Sequence, residues 1–334
     1  MRCAAIRGQG VGGSFCAHLL ARGGFRVLLD RQPRPGVPAL VVSYATQTLM
    51  SDVLERPGLF HGCRRIDRRI VAWEPGADPV TLPHAAVVLP EEELLERLSP
   101  EPAEPGEGES AEWTVFASRP LPRPAVEQHF GSRHASAVAA ELKEPDTTAC
   151  WVESLESGWL FLIPGWLIAV GGPPETLLAR SRLVAAQICG IGGERAGFAA
   201  YPRIADPLCA PGWLACGGAA MTFDPICGDG SGNAVREAIL AAAVIRAAAR
   251  GEPVNHLVAH YRQRLMAGFQ RHLEMALGFY RAAGRGPWWD AEIQGLERGM
   301  AWCASQLAAA PAFRYRLEDF DLVPAPGLLS ARTE

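Results

Sequence analysis

The sequence predicts an α/β fold: a Rossmann-like parallel sheet, split along the chain, with an inserted antiparallel sheet and a C-terminal helical lobe. Three observations carry it. A strand, a glycine-rich turn, a helix and a second strand follow one another over residues 3–31. Another strand, glycine-rich loop and helix follow over 213–250. Between them, two apolar runs at 159–163 and 166–170 flank Pro164-Gly165 and read as an antiparallel hairpin. Strands so apolar on both faces must be covered on both sides or line a ligand cavity.

Cys3-Ala4-Ala5-Ile6 is a short apolar run that fits a buried parallel strand. Gly8, Gly10 and Gly13 follow at G-x-G-x-x-G spacing, with Gly12 inside the motif and Ser14 after it. Gly8 permits the tight turn, Gly10 lets a pyrophosphate approach the backbone, and Gly13 lets helix and strand pack closely. The helix start offers free N–H groups and a positive dipole end to phosphates. Asp30 closes the second strand, roughly 20 residues on, where a carboxylate accepts bonds from an adenosine ribose. Arg31 follows it, and the sequence fits equally a residue facing the adenine and a solvated surface arginine.

The remaining elements come in order. Residues 32–38 are a proline- and glycine-rich loop, and 45–56 a helix stopped by Pro57-Gly58. Residues 64–73 and 87–89 are strand-like, with a turn at 75–79. Pro90 and Glu91-Glu92-Glu93 open a helix with acids at its positive end. The acidic stretch 99–112 has no apolar residue larger than alanine and reads as a flexible linker. A strand resumes at 113–116, 125–140 reads as partly helical, and 174–189 as a helix with Leu177, Leu178, Val184 and Ile188 on one stripe. From Glu252 onward Leu257, Tyr261, Leu265, Phe269, Leu273 and Leu277 recur at helical spacing.

A chain of 334 residues with 49% hydrophobic and 20% charged residues buries a full core. A net charge of −4 and the lack of a basic stripe argue against a nucleic-acid partner. Nine cysteines without a C-x-x-C pair or metal-ligand spacing point to reduced thiols, a cytoplasmic location and no metal. Glycines interrupt the N-terminus before a signal-peptide core forms. The apolar run 238–249 is too short to span a membrane.

The second stretch reads Gly217-Gly218-Ala219-Ala220, then Asp224-Pro225, then Gly228-Asp229-Gly230-Ser231-Gly232-Asn233 before a long alanine-rich helix. Glycines before a helix N-terminus suit a carbonyl that gains negative charge. Here the sequence resembles the group A flavoprotein monooxygenases and their tryptophan-halogenase-like relatives. In that family a strand ends in G-D-A-A, followed by D-P and a G-x-G before a helix. The first stretch matches the family's ADP-binding turn. Residues 158–164, Gly-Trp-Leu-Phe-Leu-Ile-Pro, are similar to its G-W-x-W/F-x-I-P strand beside the isoalloxazine.

The resemblance implies an FAD-binding domain from 1–35, 80–120 and 205–250, a substrate and sheet domain from 36–79 and 121–204, and a C-terminal helical region from 251–334. It implies FAD held by the two glycine stretches, with Trp159 and Phe161 on the substrate side. It implies oxygen transfer to an aromatic ring. Two departures weaken the match. The family aspartate that bonds the ribityl chain is Gly218 here. The family's A-x-G-R element survives only as 116–120, Phe-Ala-Ser-Arg-Pro. Losing one charge-assisted bond costs about 1.5–3 kcal/mol, so the sequence predicts sub-stoichiometric flavin.

Halogenation by the family's mechanism needs a lysine between flavin and substrate. The chain has one lysine, Lys143, in a solvent-like Glu-Leu-Lys-Glu-Pro context, so a halogenase is not expected. Relatives that oxidise tryptophan side chains of a partner protein, maturing quinone cofactors, are the first reading. A natural-product monooxygenase or dehydrogenase acting on an aromatic small molecule is the second. A degenerate flavoprotein serving as a non-catalytic binding subunit is the third. No catalytic acid or base is visible, and no second dinucleotide fingerprint names an electron donor.

Overall fold

The structure is a computed structural model and describes residues 2–31, 36–74, 76–98, 111–308 and 313–325. Residues 32–35 of the expected loop and 99–110 of the expected linker lie outside the described residues.

The first sheet runs in the order β14 (Cys209–Ala210), β15 (Trp213–Ala215), β6 (Trp113–Phe116), β1 (Cys3–Arg7), β2 (Arg26–Asp30). All neighbours are parallel except β14 on β15. Its strands come from three distant parts of the chain, as a split parallel sheet requires. Helices α1 (Val11–Arg22) and α5 (Gly230–Ala249) pack beside it. Alanines 238, 241, 242, 243 and 247 of α5 are fully buried, and their small side chains let the two helices approach closely.

The second sheet has eight strands, in the order β12 (Ile188–Ala199), β8 (His134–Leu142), β11 (Trp166–Val170), β10 (Trp159–Ile163), β9 (Ala149–Ser154), β4 (Arg64–Ala72), β5 (Val80–Leu89), β3 (Leu40–Ser43). The hairpin at its centre is formed as the sequence predicts, with Trp159 opposite Val170 and Gly165 in the turn at φ 89°. Both faces are covered. Trp159, Phe161 and Ile163 enter the main core, while Leu160 and Leu162 enter a second cluster with Val138, Leu167, Leu177 and Val184. Residues 80–89, expected in the FAD-binding unit, pair with β4 and β3 in this sheet.

Two helical expectations are corrected. Residues 126–142 form β7 (Val126–His129) and β8. The alanines of 135–140 favour a helix locally, but β8 lies between β11 and β12, and the pairing overrides propensity. In 174–189, α4 stops at Leu178. The buried Glu153 carboxylate accepts from the N–H groups of Arg182, Leu183 and Val184 at 2.8, 3.1 and 2.9 Å, which fixes a turn there. The chain then enters β12.

β13 (Arg203–Asp206) pairs with β7 and with β16 (Met221–Thr222). Helix α2 (Tyr44–Leu54) follows β3 and is capped by Ser43, whose hydroxyl accepts from Thr46 N–H at 3.3 Å. Helix α3 (Glu91–Leu98) follows β5. The tail is the antiparallel pair α6 (Val254–Ala283) and α7 (Pro287–Ala308). The stripe on α6 is buried as its spacing predicts. The lobe is not helical throughout: β17 (Tyr315–Glu318) and β18 (Asp321–Pro324) form a hairpin, tied to α5 by Arg246 and Arg250 on Asp321 at 3.0 and 3.1 Å.

Candidate functional site

The glycine turn after β1 is built by backbone approach. Gly8 sits at φ 104°, and its N–H donates to the Asp30 carbonyl at 2.8 Å. A Cβ on Gly13 would lie 2.1 Å from the Gly8 carbonyl oxygen, so only glycine fits. Gly10 caps α1 in an extended conformation and accepts from Ser14 N–H at 3.0 Å. The hydroxyls of Ser14 and Ser118 are buried without a hydrogen-bond partner. Ser118, in the shortened 116–120 element, lies directly against Gly8: a Cβ there would be 2.6 Å from the Ser118 Cβ. Asp30 and Arg31 are exposed at the end of β2.

The second glycine stretch meets the first. A Cβ on Gly12 would touch the Cys216 Sγ at 3.2 Å and the Gly217 Cα at 3.4 Å. Gly217 turns the chain at φ 58°, and its N–H donates to the buried Glu237 carboxylate at 2.7 Å. Burial pushes Glu237 up to about 8, against the opposing pull of the Gly217 N–H. Gly218 is exposed, with open space where a side chain would stand.

Asp224 points into the core. Its Oδ1 accepts from Ile226 N–H at 2.9 Å, a local turn, and its Oδ2 from Arg133 Nε at 2.7 Å. Arg133 also donates to Glu292 at 2.5 Å and lies over the Tyr280 ring at 4.7 Å. The Asp224 N–H donates to His272 Nε2 at 2.8 Å, so that nitrogen carries no proton. Burial and then Arg133 push His272 down to about 3. This network anchors the turn Pro225–Cys227, and Gly228 at φ 64° leads to α5.

Asp229 precedes α5, accepting from the Thr46 hydroxyl at 3.0 Å and from Arg236 at 2.7 Å. Gly232 is pressed against both: a Cβ would lie 2.6 Å from Thr46 Oγ1 and 2.2 Å from Asp229 Oδ1. Gly230 faces open space, and Ser231 and Asn233 complete the first turn. Gly228 lies opposite Arg69 of β4, whose guanidinium carbon is 5.8 Å from the Phe161 ring centre. Trp159, at the other end of β10, is fully buried and donates to the Tyr280 hydroxyl at 3.2 Å. Arg69 therefore lies between Phe161 and the second loop, and Trp159 lies within the core beside the Arg133 network. Lys143 is exposed at the end of β8 and donates to the Ala186 carbonyl at 2.8 Å.

Comparison with solved structures decides the fold. A structure titled peptidyl tryptophan dihydroxylase QhpG, essential for tryptophylquinone cofactor biogenesis, is 20% identical, with a TM-score of 0.68 over 96% of this chain and 86% of its own. The flavin-dependent halogenase CmlS is 17% identical, with a TM-score of 0.73 over 93% and 72%. The myxobacterial chondrochloren halogenase CndH is 18% identical, with a TM-score of 0.70 over 93% and 91%. The chain has the fold of flavin-dependent halogenases and monooxygenases. No protein-family model and no curated protein matches it.

Within this flavoprotein fold, Arg133, Glu237, Arg69 and His84 are the site neighbours that sequence reasoning missed. A lone arginine, glutamate or histidine has no local signature. Among the described residues, no group of three or more His, Cys, Asp or Glu side chains is placed to hold a metal ion, and no helix is long and apolar enough to cross a membrane. All nine cysteines are free.

Proposed function

We propose that the chain is an FAD-dependent oxidoreductase of the monooxygenase type, acting on an aromatic substrate. The observation that carries this reading is the meeting of the two glycine stretches at Gly12 and Gly217, with α5 starting just beyond. The residues fit the cofactor. Two buried hydroxyls lack partners at the first turn, and Gly218 and Gly230 leave open space at the second.

In this reading the backbone of Gly8, Gly10, Gly12, Gly13 and Ser14 holds the pyrophosphate, and Asp30 accepts from the adenosine ribose, with Arg31 beside it. Gly217, Gly218, Gly228, Gly230, Ser231, Gly232 and Asn233 supply the second grip, at the N-terminus of α5. Asp224 and Pro225 shape that loop from behind. The chemistry supplied by bound FAD is reaction with dioxygen and oxygen transfer to an aromatic ring. The chain's share is orientation: the α5 N-terminus stabilises negative charge on the cofactor, and Phe161 presents an aromatic wall on the sheet side.

A tryptophan carried by a partner protein is the first substrate class, in line with the peptidyl tryptophan acted on by QhpG. The exposed Lys143, bonded to the Ala186 carbonyl, speaks against halogenation. The decisive measurement is the absorbance spectrum of purified protein before and after adding FAD and gel filtration, with oxygen uptake on reduction. A retained flavin band and reductant-dependent uptake are expected. A colourless protein that binds no added FAD would refute the proposal.

A further inference from the structure

Arg69 is a cation without a counter-ion. It stands on β4, opposite Leu82 of β5 and Cys150 of β9. Its Nη2 is 2.9 Å from His84 Nε2 and its Nε is buried with no partner. Among the described residues no carboxylate forms an ion pair with it. His84 supplies no counter-charge, because an imidazole is neutral or cationic; burial and Arg69 itself push it down to about 4, which leaves a neutral ring against the guanidinium. A guanidinium offers five N–H donors in a planar fork that matches a carboxylate, and leaving part of it desolvated and unpaired is costly. Its surroundings complete a site. Phe161 flanks it on one side, the Gly228 loop faces it, and Leu82, 46% exposed, opens it to the surface.

The geometry points to Arg69 as a carboxylate-binding residue for the substrate, with the aromatic ring of the same ligand lying against Phe161. The carboxylate belongs to a free aromatic acid or to an acidic side chain next to the target residue of a polypeptide. Only the position of the ring rests on the proposed function; the anion site stands whether or not flavin is bound.

The test is calorimetric titration of the purified protein, as isolated and after adding FAD, with two matched pairs: indole-3-acetate against indole-3-acetamide, and a capped Trp-Asp dipeptide against capped Trp-Asn. The acid of at least one pair is expected to bind about tenfold or more tightly than its amide, as a charge-assisted bond implies. Arg69→Gln should erase the preference, and Arg69→Lys should keep part of it. Preference only in the first pair assigns a small aromatic acid, and only in the second an acidic polypeptide segment. Equal affinities in both pairs, or a preference that survives Arg69→Gln, overturn the inference. Should Arg69→Gln fail to fold, the wild-type ratios and Arg69→Lys still decide. An acid preference without flavin binding sinks the proposed function alone; flavin binding without the preference sinks this inference alone.

Discussion

Gly218 stands exposed beside Gly217, and nothing lies within 4 Å of where its Cβ would be. Gly218→Asp therefore has room for its Cβ and supplies the carboxylate that the resembled flavoproteins carry at the matching position of their G-D-A-A motif. Its expected effect is FAD binding at least about tenfold tighter, from one charge-assisted bond of about 1.5–3 kcal/mol, read by fluorescence titration of the apoprotein. Gly13→Ala does the reverse. Its methyl would meet the Gly8 backbone, which cannot yield, so flavin retention and about 1–3 kcal/mol of stability are expected to be lost in urea melts. Glu237 adds a pH dependence. Its folded pKa, about 8, lies above the ordinary 4.5, so folding holds its proton more tightly. That stability is complete below pH 4.5, falls as pH rises, and is gone above about 8. The half-buried His84 and the buried His260 and His272 are shifted down and lose stability in the opposite direction, as pH falls below 6.5. Comparing Glu237→Gln with wild type cancels the histidines. The variant should gain on wild type between pH 5 and 8, by at most about 1.4 kcal/mol per unit, in urea midpoints. The glycines were legible in the sequence because tight turns make local demands on the backbone. Glu237, Arg133 and Arg69 were not, because their roles depend on partners far along the chain.

At the scale of elements, one buried guanidinium, just before β8, joins the turn before α5 to α7. Arg133 reaches Asp224 across 91 positions and Glu292 across 159. Arg133→Met leaves two carboxylates buried without a cation, at an expected cost of about 3–5 kcal/mol in chemical denaturation. Adding Asp224→Asn and Glu292→Gln should recover part of that loss. If the single variant melts like wild type, the network does not hold the turn. The same contrast explains which elements could be read. The hairpin 159–170 announces itself because its apolar runs and Pro-Gly turn agree with its final pairing. Residues 135–140 do not, because alanine favours a helix until β11 and β12 flank it. The end of α4 was hidden because Glu153, not a glycine or proline, draws the chain out of the helix.

For the whole molecule, the parallel sheet, the eight-stranded sheet and the helical tail pack against one core, so a ligand held by the glycine stretches stabilises all three. FAD at a hundredfold excess over its Kd should add about 2.7 kcal/mol and raise the melting temperature with concentration. A melting curve indifferent to FAD would contradict the proposed grip. The split of the parallel sheet along the chain was readable from the two glycine stretches, which follow β1 and β15. The strands at 126–142 and 188–199 and the final hairpin were not, because long-range pairing, rather than local pattern, makes them strands.

Strand β1 and strand β15 lie on either side of β6 in one sheet but some two hundred residues apart in sequence, so the sheet is incomplete until β15 joins β6. A nascent chain that has left the ribosome only as far as Pro211 has neither the Gly217 bend nor α5, and its opening turn has nothing to close against. Any ligand that needs both bends is therefore loaded only after the chain through α5 has been made. Truncated translation products of this chain would be ligand-free, whatever the supply in the cell.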